Sequence, residues 1–190
     1  YVGTITNATW TQGKVGAALN FDGSGDYVTV TNNSTLQPTG ALTVSEWVKM
    51  NTFNDSWQVS NQKAVYDINY GYQMREDNPS NTFLFAVGHG ATATQIGTVS
   101  TYSTGTWYYV TGVFDGSTVK IYVNGKLENS TAALGSTISY TGVAASMYIG
   151  QRSDSALVTN GNIDNVKIFN YARTPAQIAY DYNRGAPVGH

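Results

Sequence analysis

Gly161-Asn162-Ile163-Asp164-Asn165-Val166-Lys167-Ile168-Phe169 is the stretch on which the reading of the fold turns. β-Branched and aromatic residues recur in it, and a polar-rich sequence precedes it, the pattern of an extended chain with one side toward a core. With a period of two from Asn162 to Phe169, Asp164 falls on the same face as Val166 and Ile168. If that face is the core, a carboxylate is aimed into or at the margin of an apolar layer, where an unpaired charge is costly, so Asp164 needs a partner. The strand is expected to close a sandwich of sheets.

Working outward, eight further runs read the same way: Ala18–Phe21, Tyr27–Val30, Leu42–Lys49, Gly71–Met74, Thr82–Val87, Trp107–Phe114, Thr118–Val123 and Ser146–Ile149. Clusters of Gly, Asn, Asp and Ser separate them. In Thr118–Val123, Val119, Ile121 and Val123 share one face while Lys120 and Tyr122 share the other, a half-buried strand with one wet side. Asp115-Gly116 before it and Asn124-Gly125 after it are tight-hairpin signals. Nine strands predict an all-β fold of two sheets. Only the tail reads as a short helix: Thr174 can cap it, Pro175 opens it, Gln177 completes a capping box and Gly185 stops it.

The 190 residues, 41% apolar, suffice for one substantial core, so residues 1–190 are expected to form one domain, cut from a longer protein. Only 12% are charged, well below the roughly 25% usual for soluble proteins. The polar surface must come from Ser, Thr, Asn, Gln and Gly, as in many exported β proteins, and a secreted or cell-surface location is expected. A net charge of −2 with no Lys/Arg run argues against nucleic acid and anionic membrane as partners. The absence of cysteine excludes disulfides, thiolate nucleophiles and Cys-ligated zinc. No apolar run approaches the roughly 20 residues that span a bilayer, so membrane insertion is not expected.

The order of these motifs resembles the laminin-G-like branch of the concanavalin A-like lectin/glucanase superfamily. The matching segments are Gly13-Lys14-Val15-Gly16-Ala17-Ala18-Leu19-Asn20-Phe21-Asp22-Gly23, Asp26-Tyr27-Val28, and Leu42-Thr43-Val44-Ser45-Glu46-Trp47-Val48-Lys49. They continue with Gly71-Tyr72-Gln73-Met74, Trp107-Tyr108-Tyr109-Val110, Phe114-Asp115-Gly116, Ile121-Tyr122-Val123-Asn124-Gly125, Ile149-Gly150 and the stretch 161–169. The resemblance implies a jelly-roll β-sandwich of two antiparallel sheets. Family members usually begin with a Trp-containing strand that is missing before Tyr1, and Pro187-Val188-Gly189-His190 is a candidate to take its place. Glu46 stands where the family usually has a small residue. It shares a face with Leu42, Val44 and Val48, so it either bonds to a neighbour or opens into a cleft.

Asp22 ends another core strand, and no Lys or Arg lies close in sequence to Asp22 or Asp164. Two hard carboxylates with nearby carbonyls suit calcium, and the family commonly holds calcium at a comparable place. The resemblance thus implies a structural calcium with Asp22 and Asp164 as ligands. The bland alternative is that each Asp caps backbone N–H groups.

Fourteen tyrosines and four tryptophans exceed what the strands need. Trp47, Tyr72, Trp107, Tyr109 and Tyr148 read as core. Trp57, Tyr66 and Tyr70 read as lying in or beside loops, near the polar side chains Arg75, Arg152 and Asp154. Exposed rings beside fixed donors and acceptors are how sugars are recognised, through a stacked pyranose face and paired hydroxyls. His89, between two glycines, reads as a mobile turn residue.

The superfamily's hydrolases carry Glu-x-Asp-x-x-Glu on one strand, and the three glutamates here, Glu46, Glu76 and Glu128, do not stand in that spacing. Catalysis is therefore not expected. The reading is a non-catalytic carbohydrate-binding module for a polysaccharide or oligosaccharide, attached to a linked catalytic or repeated surface domain. The alternative is a protein-interaction or adhesion module in a tandem cell-surface array.

Overall fold

A computed structural model describes residues 2–63 and 67–184. Gly185, the proposed substitute strand at 187–190 and the candidate Tyr66 lie outside the described residues.

Two antiparallel seven-stranded sheets stack into a jelly-roll sandwich. The first contains β1 (Thr4–Thr6), β4 (Tyr27–Thr31), β13 (Ser146–Ile149), β6 (Trp57–Lys63), β7 (Asp67–Asp77), β8 (Thr82–Gly88) and β9 (Ala93–Gly97), in that spatial order. The second contains β12 (Lys126–Ala132), β11 (Thr118–Val123), β10 (Tyr108–Phe114), β5 (Leu42–Met50), β14 (Asn160–Phe169), β3 (Ala17–Asp22) and β2 (Thr9–Gln12). All nine expected strands are present. β14 lies inside the second sheet, between β5 and β3.

The inner faces supply one apolar layer. Phe21, Val44, Val48, Val110, Phe114 and Ile121 of the second sheet face Val59, Tyr72, Met74, Phe83, Phe85 and Val87 of the first. Gly112 of β10 is small because a Cβ there would collide with the Phe85 ring. The β11–β12 hairpin turns through Asn124 and Gly125 at φ of 51° and 79°, the left-handed pair that a two-residue hairpin loop requires.

The helix α1 (Pro175–Arg184) starts as the sequence predicts. The Gln177 N–H donates to Thr174 Oγ1 at 3.3 Å and the Thr174 N–H to Gln177 Oε1 at 2.9 Å, a reciprocal capping box. The helix lies on the outer face of the second sheet, where Ile178 is buried with Trp47, Tyr109, Val113 and Tyr122, and Tyr182 packs alongside.

A bulge in β14 overturns the expected facing of Asp164. The register shifts between Asp164 and Lys167, and Asn165 takes φ of +52°, which adds a residue and resets the alternation. Ile163 is in the core and Val166 and Ile168 pack against it, whereas Asp164 pairs with Trp47 and shares its outer face. Asp164 Oδ2 accepts the Val15 N–H at 2.8 Å, so the carboxylate ties down the β2–β3 hairpin.

His89 is no mobile turn residue. Nδ1 lies 2.7 Å from the Thr137 carbonyl oxygen and Nε2 3.0 Å from Thr94 Oγ1, so the ring latches two segments together.

Candidate functional site

Among the described residues, the outer face of the first sheet carries a row of buried polar side chains without hydrogen-bond partners; on the helix side the buried Ser45 and Thr111 hydroxyls are also unbonded. Cross-strand pairing lays Thr29, Tyr148, Ser60, Gln73, Ala86 and Gln95 in one row across β4, β13, β6, β7, β8 and β9. Gln62 stands on the same face, two residues along β6 from Ser60 and opposite Gly71. Gly71 has φ of +76°, and a Cβ there would run into the Asn61 carbonyl, so only glycine lets β7 pass. Ser60, Gln62 and Gln73 are 0%, 1% and 2% exposed. Among the described residues, Ser60 Oγ and both amide atoms of Gln62 and of Gln73 make no hydrogen bond. Each buried polar atom left unmade costs about 1–3 kcal/mol, so this row is held at the expense of stability.

A second irregularity builds the end of the row. The β6–β7 register shifts between Trp57 and Val59, so that Trp57 pairs with Arg75 on the outer face. Gln58 turns inward, donating from Nε2 to the Ser56 carbonyl at 3.2 Å and approaching Met50 Sδ at 3.9 Å. The segment 150–159 folds back over this point. Gly150 N–H donates to the Gln58 carbonyl at 3.0 Å, Trp57 N–H to Leu157 at 3.1 Å, and Thr159 Oγ1 to the Trp57 carbonyl at 3.2 Å. Its turn sets the Arg152 guanidinium 5.9 Å from the Trp57 ring centre. Arg152 Nε and Nη2 donate to the two oxygens of Asp154, each at 2.7 Å, and this fork holds the Asp154 carboxyl below the usual carboxylate range.

Of the residues read from sequence, Trp57, Arg75, Arg152 and Asp154 thus come together at one end of this face. The expectation that Trp57 is an exposed ring does not hold: it is 0% exposed under the 150–159 segment, so it buttresses Arg152 instead of stacking on a ligand. Tyr70 is half-buried on β7, beyond Gly71 from Gln73 and Arg75. Tyr148, read as core, is half-buried on the outer face, 6.1 Å from the ring of Tyr27. Ser60, Gln62 and Gln73 escape the sequence reading. The signal that could have found them is the amide-rich run Gln58-Val59-Ser60-Asn61-Gln62, polar on both faces.

The two carboxylates expected to share calcium do not meet. Asp22 pairs with Asn160, four residues along β14 from Asp164, which at strand rise is roughly 13 Å away. Asp22 Oδ1 accepts the Ser24 N–H at 2.8 Å in the β3–β4 connection while Asp164 holds the Val15 N–H of the β2–β3 hairpin, so the two serve different turns. The pair does not fit a joint calcium clamp, and among the described residues no group of three or more His, Asp or Glu could hold a metal.

Glu46 neither bonds to a neighbour nor opens into a cleft. It is buried between the sheets opposite Val110, neither carboxyl oxygen has a hydrogen-bond partner among the described residues, and burial raises its pKa well above the ordinary value. Glu76 Oε1 accepts N–H groups of Asn54 at 2.9 Å and Ser56 at 2.6 Å; burial raises its pKa against these bonds.

A stacked pair of antiparallel sheets with one helix-covered outer face and one polar outer face is the architecture of a jelly-roll lectin-like domain. The chain belongs to the laminin-G-like group of the concanavalin A-like lectin/glucanases superfamily, whose family model matches residues 22–179. No curated protein matches it. Among solved structures it is similar to domain 4 of AbnA, a GH43 extracellular arabinanase from Geobacillus stearothermophilus, in complex with arabinotriose. Identity there is 21%, over 95% of this chain and 87% of that one, with a TM-score of 0.74. It is also similar to the binding domain of Paraclostridial Mosquitocidal Protein 1, at 12% identity, 96% and 47% coverage and a TM-score of 0.74. The binding domain of botulinum neurotoxin DC in complex with SialylT matches at 16% identity, 98% and 47% coverage and a TM-score of 0.71. The chain spans about half the length of the two toxin domains.

Proposed function

We propose that this chain is a non-catalytic carbohydrate-binding module, secreted or at the cell surface, joined to a catalytic or repeated surface domain. It takes a polysaccharide or oligosaccharide on the outer face of the first sheet. The observation that carries the reading is the row Ser60, Gln62 and Gln73, buried and without hydrogen-bond partners among the described residues. A sugar hydroxyl donates and accepts, and a primary amide does the same, so a glycan edge can satisfy the row in a way an apolar ligand cannot. Tyr148 and Tyr27 offer ring surface beside it. The arabinotriose complex of the arabinanase domain supports the same ligand class on this fold.

The carboxyl groups favour binding over hydrolysis, which needs two of them flanking the scissile bond. Glu46 lies between the sheets, Glu76 is engaged by Asn54 and Ser56, and Asp154 is occupied by Arg152. Titration calorimetry against plant, microbial and algal glycans tests the proposal. We expect at least one to bind, and the Gln62→Ala, Gln73→Ala double variant to weaken it about tenfold or more, since each lost hydrogen bond to a sugar is worth about 0.5–1.5 kcal/mol. Failure of the wild type to bind any of these glycans overturns the reading. Unchanged affinity in the double variant removes the row from the site.

A further inference from the structure

We infer that the glycan bears an anionic group, a carboxylate or a sulfate ester, which Arg75 receives; this rests on the carbohydrate-binding reading above. The two guanidinium groups at the Trp57 end of the row are in different states. That of Arg152 is committed, with two hydrogen bonds of 2.7 Å to Asp154. That of Arg75 is not. Its Nη1 lies 3.4 Å from Asp77 Oδ1 and 3.4 Å from the Glu76 carbonyl oxygen, and its Nε is buried without an acceptor among the described residues. Charge-assisted N–H···O bonds close to about 2.7–2.9 Å, so both Arg75 contacts are slack.

The Arg75 side chain is only 12% exposed. A guanidinium does not lose its proton to escape burial, and a buried charge without close counter-oxygens is unfavourable. Its neighbours on the same face do not relieve it: Gln73 lies along the strand, and Trp57 and Leu84 lie across it. The formal charges near this end are Arg75 and Arg152 against Asp77, Asp154, Asp55 and Glu76; Asp154 is neutralised within its own fork, Asp55 accepts the Asn78 N–H, and Glu76 is engaged by Asn54 and Ser56. What is left is one cation, loosely held by Asp77, at the end of a row of neutral amides. A planar or tetrahedral oxyanion matches the donor fork of Arg75, while the hydroxyls of the same sugar chain reach Gln73 and Gln62.

The test is titration of the folded chain with oligosaccharides matched in length and linkage, in two sets: a neutral member against its uronic-acid form, and a neutral member against its sulfate ester. We expect one acidic form to bind about tenfold tighter than its neutral match, with the preference shrinking as salt is raised. The two sets separate carboxylate from sulfate. Arg75→Gln should reduce the preference to within about twofold while neutral binding persists, and Arg75→Lys, which keeps the charge and loses the fork, should fall between. Equal binding of neutral and acidic members by the wild type overturns the inference and leaves the carbohydrate reading standing; this comparison decides even if Arg75→Gln unfolds. A preference that survives in folded Arg75→Gln also overturns it. If no member of either set binds, the carbohydrate reading fails and takes the inference with it.

Discussion

The two outer faces of the sandwich solve opposite problems with the same backbone. On the second sheet, Trp47, Tyr109, Val113 and Tyr122 form an aromatic and aliphatic surface that the chain itself covers with α1 through Ile178 and Tyr182. Trp47 is held further by the Tyr109 ring at 5.3 Å, the Tyr182 ring at 5.6 Å and the Lys14 ammonium at 5.2 Å. On the first sheet, the corresponding surface is Ser60, Gln62 and Gln73, as buried as Trp47 and without hydrogen bonds. One face has its partner in the same polypeptide. The other has five buried amide and hydroxyl atoms without hydrogen bonds among the described residues, against the Ser45 and Thr111 hydroxyls on the helix side, and the proposed glycan would supply their bonds.

The comparison breaks most visibly at Trp47. Trp47→Ala should lower stability by about 3–5 kcal/mol, as large aromatic truncations in cores do. Urea unfolding measures the loss, and glycan affinity of the folded fraction should stay within about twofold of wild type, because Trp47 faces away from the row. A loss of binding with little loss of stability would mean that the functional face has been assigned to the wrong sheet.

Glu46 sharpens the contrast from a third position, the interior. Like Gln73 it is buried without a hydrogen bond, but it lies between the sheets and faces no ligand. Its folded pKa is raised by burial, so below the ordinary carboxylate range it is protonated in both states and stability is at its fullest. As pH rises past that range, the unfolded chain ionises while the folded chain keeps the proton. Stability then falls by about 1.4 kcal/mol per pH unit until the folded pKa is reached. Glu76, also raised, adds a slope of the same sign, whereas lowered Asp154 acts in acid: its contribution is present above the ordinary range and lost as pH falls. Glu46→Gln should flatten the fall measured by thermal unfolding between pH 4 and pH 7 and leave glycan binding unchanged. An identical pH profile in the two proteins would show that the folded pKa is not raised.

Much of the fold was legible because most strands bury one face. Thr118–Val123 alternates cleanly, the Asn-Gly turn after it has no other good use, and Thr174-Pro175 with Gln177 announces the helix. The site was half-legible. Arg75, Arg152 and Asp154 stand out by charge in a chain that has little of it, and their meeting at Trp57 could be named though not drawn. Two bulges hid the rest. The one at Asn165 moved Asp164 to the other face and with it the calcium argument, and the one beside Trp57 exchanged the facings of Trp57 and Gln58. β6 was read as loop because its outward residues are the polar row and its inward Asn61 is polar too, bonding the Leu36 carbonyl at 2.9 Å. A strand whose outward and inward residues are both polar forgoes the alternation by which strands are recognised.

The smallest expected effect is also the most discriminating. Gln73→Leu replaces two unpartnered amide atoms by a side chain of similar size that needs no bonds. If the row were an inert part of the packing, this would be a neutral core exchange with no further consequence. If the row exists to bind, the same change should leave stability unchanged or raise it by about 1 kcal/mol while glycan affinity falls, because only the ligand-bound state uses those atoms. Thermal unfolding and calorimetric titration on one preparation give both numbers. The two readings part on their signs: stability up with affinity down places Gln73 in the binding face, and a fall in both would mean that the amide already has a stabilising partner in the free protein.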